Sequence, residues 1–385
     1  ASEGYLETIV NDTLYHERRR LESGDPSRGD GGFYDDILKR MQHASERDLR
    51  RLLEELARRF AGEVVGNFDK RVYAAATTAI PGGLWALLNA MSPSRLFSLQ
   101  GMKRGLAEHL ELWGEVDALK AVADRGTLVF VPTHSSNLDS ILLGYAIYLM
   151  GLPPVTYGAG INLFTNPLMS FFMANLGAYK VDRKKTSTLY KEVLKEYATC
   201  SMEMGYNNLF FPGGTRSRNG KIERNLKKGL LGCAIRAYIN NLRAHNPKPD
   251  LFIVPVTINY LLVLEAETLI DDHLKEVGKA RYIITDDEFS RPKQIYNFMN
   301  NLISMDSRIV LTCSAPMDVF GNRVDRQGNS LDARGRRVDP SRYVTRGGEP
   351  VFDDQRDFQY TREVSHEIVA AYGRDNVIHS THVTG

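Results

Sequence analysis

Hydrophobic residues recur with two different periods along this chain, and the change between them divides it. From residue 1 to about 100 the apolar positions follow helical spacing. The clearest stretch is ERDLRRLLEELARRF at 46–60, where Leu49, Leu52, Leu53 and Leu56 share one face and Arg and Glu fill the other. Residues 37–41 repeat the pattern on a smaller scale, and SGDPSRGDGG at 23–32 reads as a loop behind the first helix. From about 101 to 320 short apolar runs take over, at 127–131, 155–159, 179–181, 208–211, 252–258 and 309–313, separated by helix-length segments. Such alternation predicts an α/β fold, with a central mostly parallel or mixed sheet flanked by helices and an N-terminal helical domain before it.

Beyond residue 320 the pattern changes again. Val324-Asp325 with Gly328, Leu331-Asp332 with Gly335, and Val338-Asp339 recur at seven-residue intervals, which predicts successive tight turns. A helix over 357–372 and a strand-like Val377-Ile378 follow. The expected division is therefore 1–100, 101–320 and 321–385, with the last part open to reading as a truncated end. Calcium is disfavoured for the repeating carboxylates, because Arg326, Arg334, Arg336 and Arg337 stand among them.

Composition narrows the function classes. At 385 residues, 43% hydrophobic and 25% charged, the chain has enough apolar material for a sizeable core, which excludes disorder throughout. A net charge of +2 gives no global pull toward nucleic acid, and the interleaved aromatics that such binding uses are missing. Charge is nevertheless uneven: residues 180–228 hold twelve Lys or Arg against five Asp or Glu, an excess of +7. A field of that sign concentrates anionic substrates. Lys191, Lys195, Lys227 and Lys228 suit a solvated helix face. Arg183, Arg216 and Arg218 instead abut glycine-containing turns, where guanidinium and backbone donors can converge on phosphate.

Cys200, Cys233 and Cys313 are too scattered for a zinc site or a disulfide framework, and suit reduced thiols in a cytoplasmic protein. No metal is expected. The opening ASEGYLETIVND has neither the basic start nor the apolar stretch of a secretory signal. The most apolar run, AAATTAIPGGLWALLNAM at 74–91, is broken by Pro81-Gly82-Gly83 and is read either as an interfacial membrane segment beside Trp85 or as a helical pair against the core.

Candidate chemistry concentrates in Val131-Pro132-Thr133-His134-Ser135-Ser136-Asn137-Leu138-Asp139. GTLVFVP at 126–132 reads as a buried strand and ILLGYAIYLM at 141–150 as the helix after it, so His134 sits where strand becomes helix. With Asn137 as N-cap, Asp139 falls in the first turn, from which its carboxylate can reach back to the imidazole. A base held by an orienting carboxylate suits proton removal from an alcohol. Ser135 and Ser136 offer a covalent alternative, but neither lies in a G-x-S-x-G elbow.

Three more blocks follow in order: Gly177-Ala178-Tyr179-Lys180-Val181-Asp182-Arg183, Phe211-Pro212-Gly213-Gly214-Thr215-Arg216-Ser217-Arg218, and Val254-Pro255-Val256-Thr257-Ile258-Asn259-Tyr260. Together with H-x-x-x-x-D, these resemble the four blocks of the glycerolipid acyltransferases over roughly residues 125–275. Gly160-Ile161-Asn162-Leu163 and Val263-Leu264-Glu265 look most similar to the glycerol-3-phosphate acyltransferase branch. The resemblance implies transfer of a long-chain acyl group from acyl-CoA or an acyl carrier protein to the 1-hydroxyl of sn-glycerol 3-phosphate, giving lysophosphatidic acid. His134 would be the general base and Asp139 its partner. Arg183, Arg216 and Arg218, with Lys184 as a weaker addition, would hold the acceptor phosphate, and Gly213 and Gly214 would supply oxyanion donors.

The same resemblance implies a protein without a cofactor, peripheral at the cytoplasmic face of a phospholipid membrane. Lysophosphatidic acid or dihydroxyacetone phosphate as acceptor, or a non-catalytic lipid- or carrier-binding role, remain alternatives. One departure stands out. The family usually carries Glu where this chain has Gly213. Either another side chain supplies that carboxylate, with Glu223 the nearest downstream candidate, or the site works without it.

Overall fold

A computed structural model of the protein describes residues 3–23, 31–77, 110–136, 139–164, 167–214, 217, 222–261 and 308–379. Asn137, Arg216, Arg218, Lys221, Val263-Leu264-Glu265 and most of the apolar stretch at 74–91 lie outside the described residues.

Three helices open the chain: α1 (Glu3–Glu22), α2 (Gly31–Met41) and α3 (Glu46–Val64). Helix α3 starts at a capping box, in which the Ser45 side chain accepts from the Asp48 amide and the Asp48 side chain accepts from the Ser45 amide. It buries Leu49, Leu52, Leu56, Phe60 and Val64, as the 3.6-residue spacing requires. The helices dock on the α/β part through apolar contact of Phe60 and Val64 with Tyr179 and Tyr190. A buried ionic cluster adds to this, in which Lys185 Nζ meets Glu63 at 2.5 Å and Glu17 at 3.1 Å while Arg20 pairs with Glu17 at 2.9 Å.

The elements that follow are β1 (Leu110–Gly114), α4 (Val116–Ala123), β2 (Thr127–Pro132), α5 (Asp139–Leu149), β3 (Val155–Gly160), α6 (Pro167–Asn175), β4 (Ala178–Val181), α7 (Thr188–Glu203), β5 (Asn207–Leu209), α8 (Lys228–Arg243), β6 (Leu251–Tyr260) and β7 (Ile309–Cys313). Among the described residues the strands form one seven-stranded sheet, in the order β1-β7-β6-β2-β5-β3-β4. Every neighbouring pair is parallel except β6 with β7. The α/β reading with a mostly parallel or mixed central sheet thus holds.

Both faces of this sheet are covered, which explains why β2, β6 and β7 are buried along their whole length and read as unbroken apolar runs. Leu128, Phe130, Val254 and Val256 face Leu142, Leu143, Ala146 and Ile147 of α5. Their alternates Val129, Val131 and Ile253 face Leu231, Ala234 and Ile239 of α8. The second face also receives Val364, Ile368 and Tyr372 from the last helix, α9 (Asp354–Asp375).

Between β7 and α9 lie the short strands β8 (Arg323–Val324), β9 (Ser330–Leu331), β10 (Arg337–Val338), β11 (Thr345–Arg346) and β12 (Glu349–Pro350). The seven-residue repeat builds the turns between them. Asp325 and Asp332 each accept two amides of their own turn, and Gly328 and Gly335 take positive φ three residues on. Asp318 with Gly321 is an earlier copy of the same turn. These carboxylates are engaged by the backbone that they shape. The strand expected at Val377-Ile378 is replaced by irregular chain, in which the Val377 amide donates to the Asn259 side chain at 3.2 Å.

Candidate active site

Strand β2 ends at Pro132, and its ladder is continued by Thr133, whose amide donates to Val256 O at 2.9 Å and whose hydroxyl accepts from the Ile258 amide at 3.0 Å. The next residue, His134, is thereby held at the carboxyl end of the sheet, where open α/β folds place ligands. Its Nδ1 lies 2.8 Å from Asp139 Oδ2. That same oxygen accepts the amides of Ser135 at 2.6 Å and Ser136 at 2.8 Å, so one carboxylate folds the loop and aims the imidazole.

Asp139 is the first residue of α5 and is completely buried, whereas the imidazole keeps 15% of its surface exposed. The imidazole therefore reaches the cleft and its carboxylate partner does not. Two further groups lock the pair. The Tyr260 hydroxyl donates to Asp139 Oδ1 at 2.5 Å, and the Phe211 ring stacks on the imidazole with centroids 4.1 Å apart and planes 26° from parallel. Neither role is visible in sequence order, since Tyr260 lies 121 positions from Asp139. With Nδ1 engaged, Nε2 is the imidazole nitrogen left for proton exchange.

The cleft at His134 is open to solvent and gathers residues from the ends of several strands. Thr133, Ser135, Gly213, Ser217, Glu223 and Asn259 line it, joined by Tyr372 and Asn376 from the C-terminal segment. That segment is tied down at the rim: the Tyr372 hydroxyl donates to Val131 O at 2.7 Å and the Asn259 side-chain amide donates to Asn376 Oδ1 at 2.7 Å. Burial pushes the Tyr372 phenol well above its usual range, so it serves as a neutral donor.

The glycine turn after β5 meets this cleft at one residue. Gly213 lines it, while Gly214, at φ +78°, gives its amide to Phe211 O at 3.0 Å. The Gly214 N–H thus closes the turn. The Ser217 amide donates to His134 O at 2.7 Å, which holds Ser217 beside the imidazole-bearing residue.

Arg183 and Lys184 are exposed in the turn after β4, with the Lys184 amide on Asp182 Oδ1 at 2.9 Å. Strand β4 lies three positions from β2, a lateral distance of about 14 Å at the usual strand spacing. The basic window is also less uniform than its count suggests, because Lys185 is buried among Glu17 and Glu63 and Lys195 pairs with Glu192 at 2.6 Å.

A buried carboxylate, an imidazole at a cleft and a mostly parallel sheet that presents both define an enzyme-like α/β domain. Residues 115–259 match the family described as Acyltransferase. Curated relatives named glycerol-3-phosphate acyltransferase include one from Xanthomonas axonopodis pv. citri, 35% identical over 158 residues. Another, from Pseudomonas paraeruginosa, is 32% identical over 158 residues. Each alignment covers 41% of this chain but 17% and 18% of the relative, so the matched part spans less than a fifth of those proteins. Among solved structures, the 1-acyl-sn-glycerophosphate (LPA) acyltransferase, PlsC, from Thermotoga maritima aligns at 14% identity with a TM-score of 0.35, over 83% of this chain and 96% of that one. The likeness to acyltransferases thus lies in residues 115–259, the part that holds the His134–Asp139 junction. Among the described residues, no helix is long and apolar enough to cross a membrane.

Proposed function

We propose that the protein transfers a long-chain acyl group from an acyl thioester to the 1-hydroxyl of sn-glycerol 3-phosphate, forming lysophosphatidic acid. The observation that carries this reading is the Asp139–His134 pair at 2.8 Å, with the imidazole at the wall of an open cleft. The name shared by the curated relatives supports glycerol 3-phosphate as the acceptor.

In this reading Nε2 of His134 takes the proton from the acceptor hydroxyl as its oxygen attacks the thioester carbonyl carbon. Asp139 offsets the charge that develops on the imidazole. Collapse of the tetrahedral intermediate breaks the C–S bond, and the departing thiolate recovers the proton from His134. A thioester is already activated, so no acyl-enzyme is required. The loop amides of Ser135 and Ser136 are committed to Asp139, and their hydroxyls play no part in the reaction.

The Gly213 amide is assigned to the developing oxyanion. Arg183, Arg216 and Arg218, with Lys184, are assigned to the acceptor phosphate, for which fork-shaped guanidinium donors are well suited. The acyl carrier is coenzyme A or an acyl carrier protein, and the reaction is placed at the cytoplasmic surface of a phospholipid membrane. The three-part organisation at residues 1–100, 101–320 and 321–385 belongs to the same proposal.

The test is incubation of purified protein with palmitoyl-CoA, lipid vesicles and radiolabelled sn-glycerol 3-phosphate, in parallel with lysophosphatidic acid and dihydroxyacetone phosphate. Label in lysophosphatidic acid supports the reading. Transfer confined to one of the other acceptors would replace the assigned substrate, and no transfer to any of them from CoA or carrier-protein thioesters would refute the enzymatic reading.

A further inference from the structure

We propose that Glu223 is the carboxylate that receives the hydroxyl end of the acceptor, in space left open by the missing side chain of Gly213. The proposal rests on the acyltransferase reading and adds a specificity-determining residue to it. Glu223 and Gly213 line the same cleft as His134. A Cβ placed on Gly213 would lie 3.2 Å from Glu223 Cγ, 3.7 Å from its Cβ and 3.4 Å from Oε2. The two positions are therefore in direct contact: a Cβ at 213 would require the stem of Glu223 to give by a few tenths of an ångström, and a longer side chain there would share the space beside it.

Charge strengthens the assignment. Among the described residues lining the cleft, Glu223 is the one carboxylate; its neighbours Thr133, Ser135, Ser217, Asn259 and Asn376 are neutral. Asp139 lies fully buried behind the imidazole, with both oxygens occupied. Among the described residues, Glu223 Oε1 has one long contact, from the Asn225 amide at 3.3 Å.

An ionised carboxylate accepts hydrogen bonds and donates none, so it repels phosphate and favours a hydroxyl. Beside His134 it would orient a polyol phosphate with its hydroxyls inward and its phosphate away from the carboxylate. The acceptor class this selects is a phosphate monoester bearing a second hydroxyl next to the one that reacts. A hydrogen bond of this kind to a charged acceptor changes binding by about 10- to 100-fold.

The experiment compares sn-glycerol 3-phosphate with 3-hydroxypropyl phosphate, which keeps the reacting hydroxyl and the phosphate but lacks the middle hydroxyl. Glu223→Ala should raise KM for glycerol 3-phosphate about 10- to 100-fold, leave KM for palmitoyl-CoA unchanged and largely erase the preference between the two acceptors. Gly213→Glu alone should lose activity, through crowding and like charge, whereas Gly213→Glu combined with Glu223→Ala should recover the preference. Glu223→Gln, which keeps size and an acceptor oxygen, should fall between wild type and Glu223→Ala. An unchanged acceptor preference in Glu223→Ala, with wild-type transfer intact, would overturn the assignment. Absence of acceptor-dependent transfer in the wild type would instead overturn the acyltransferase reading beneath it.

Discussion

The hydroxyl of Tyr260 donates to Asp139 Oδ1 at 2.5 Å, while the other oxygen of that carboxylate holds His134. The last residue of β6 thereby fixes the first residue of α5, and through it the His134 imidazole. Tyr260→Phe keeps the buried ring and deletes the donor. A hydrogen bond to a charged group is worth about 1.5–3 kcal/mol, so kcat should fall at least about tenfold while KM for either substrate stays within about twofold. Steady-state kinetics and a circular-dichroism melt check this. An unchanged kcat would show that the His–Asp pair needs no third member.

Lys185 is predicted to secure the N-terminal helices to the α/β domain. Its ammonium is 5% exposed and lies between Glu17 and Glu63, in the turn that also presents Arg183 and Lys184. Lys185→Met leaves the fully buried Glu17 with Arg20 and the part-buried Glu63 with Arg59 as their close cations, and removing one partner of a buried ion pair costs about 3–5 kcal/mol. Urea denaturation should report a loss of that size. A loss under about 1 kcal/mol would mean that apolar packing of Phe60 and Val64 suffices.

How much of this was legible follows from how local each feature is. The buried strands were readable because a parallel sheet covered on both faces makes them continuous apolar runs, as in TLVFVP of β2. Strand β1 was missed: its LELWG is half exposed at the sheet edge and gives no clear alternation. His134 and Asp139 were legible because five positions of a strand–loop–helix junction bring them together. Tyr260 and Phe211 were not, since their contacts exist only after β5, β6 and α5 converge. For the same reason the contact between Gly213 and Glu223 emerged from the loop geometry, although both residues were already under suspicion in the sequence.

Tyr372 ties the C-terminal helix to the strand that carries the base, through Val131 O at 2.7 Å. Tyr372→Phe leaves that buried carbonyl without this donor and should cost about 1–3 kcal/mol. Limited proteolysis should then release fragments from 354–379 sooner than in the wild type, with cleavage elsewhere unchanged. Equal proteolysis rates would show that packing of Val364 and Ile368 alone holds the helix.

Acid should loosen the C-terminal part of the chain. Hydrogen bonds hold four of its carboxyls below their ordinary value of 3.8: Asp353, chiefly through the Arg356 amide; Asp332, chiefly through the Arg336 amide; and Asp325 and Asp375, where Asn329 and Arg374 outweigh an opposing effect of burial. Depressed values mean stability that is present above pH 3.8 and lost as pH falls through the folded-state values. Buried Asp318 and Asp250 have raised values and work the other way, their contribution fading as pH rises above 3.8. The thermal midpoint should therefore drop as pH falls below about 4, and Asp353→Asn should lessen that drop. The same slope in the variant would contradict the assignment.

The most direct test of the central claim is acceptor-dependent thiol release from palmitoyl-CoA by the wild type and His134→Ala, assayed with sn-glycerol 3-phosphate and lipid vesicles. General-base catalysis typically supplies about 10²–10⁴-fold, so release should fall by at least that factor while the thermal midpoint stays near that of the wild type. Release that persists in a folded His134→Ala protein would contradict the role given to the Asp139–His134 pair.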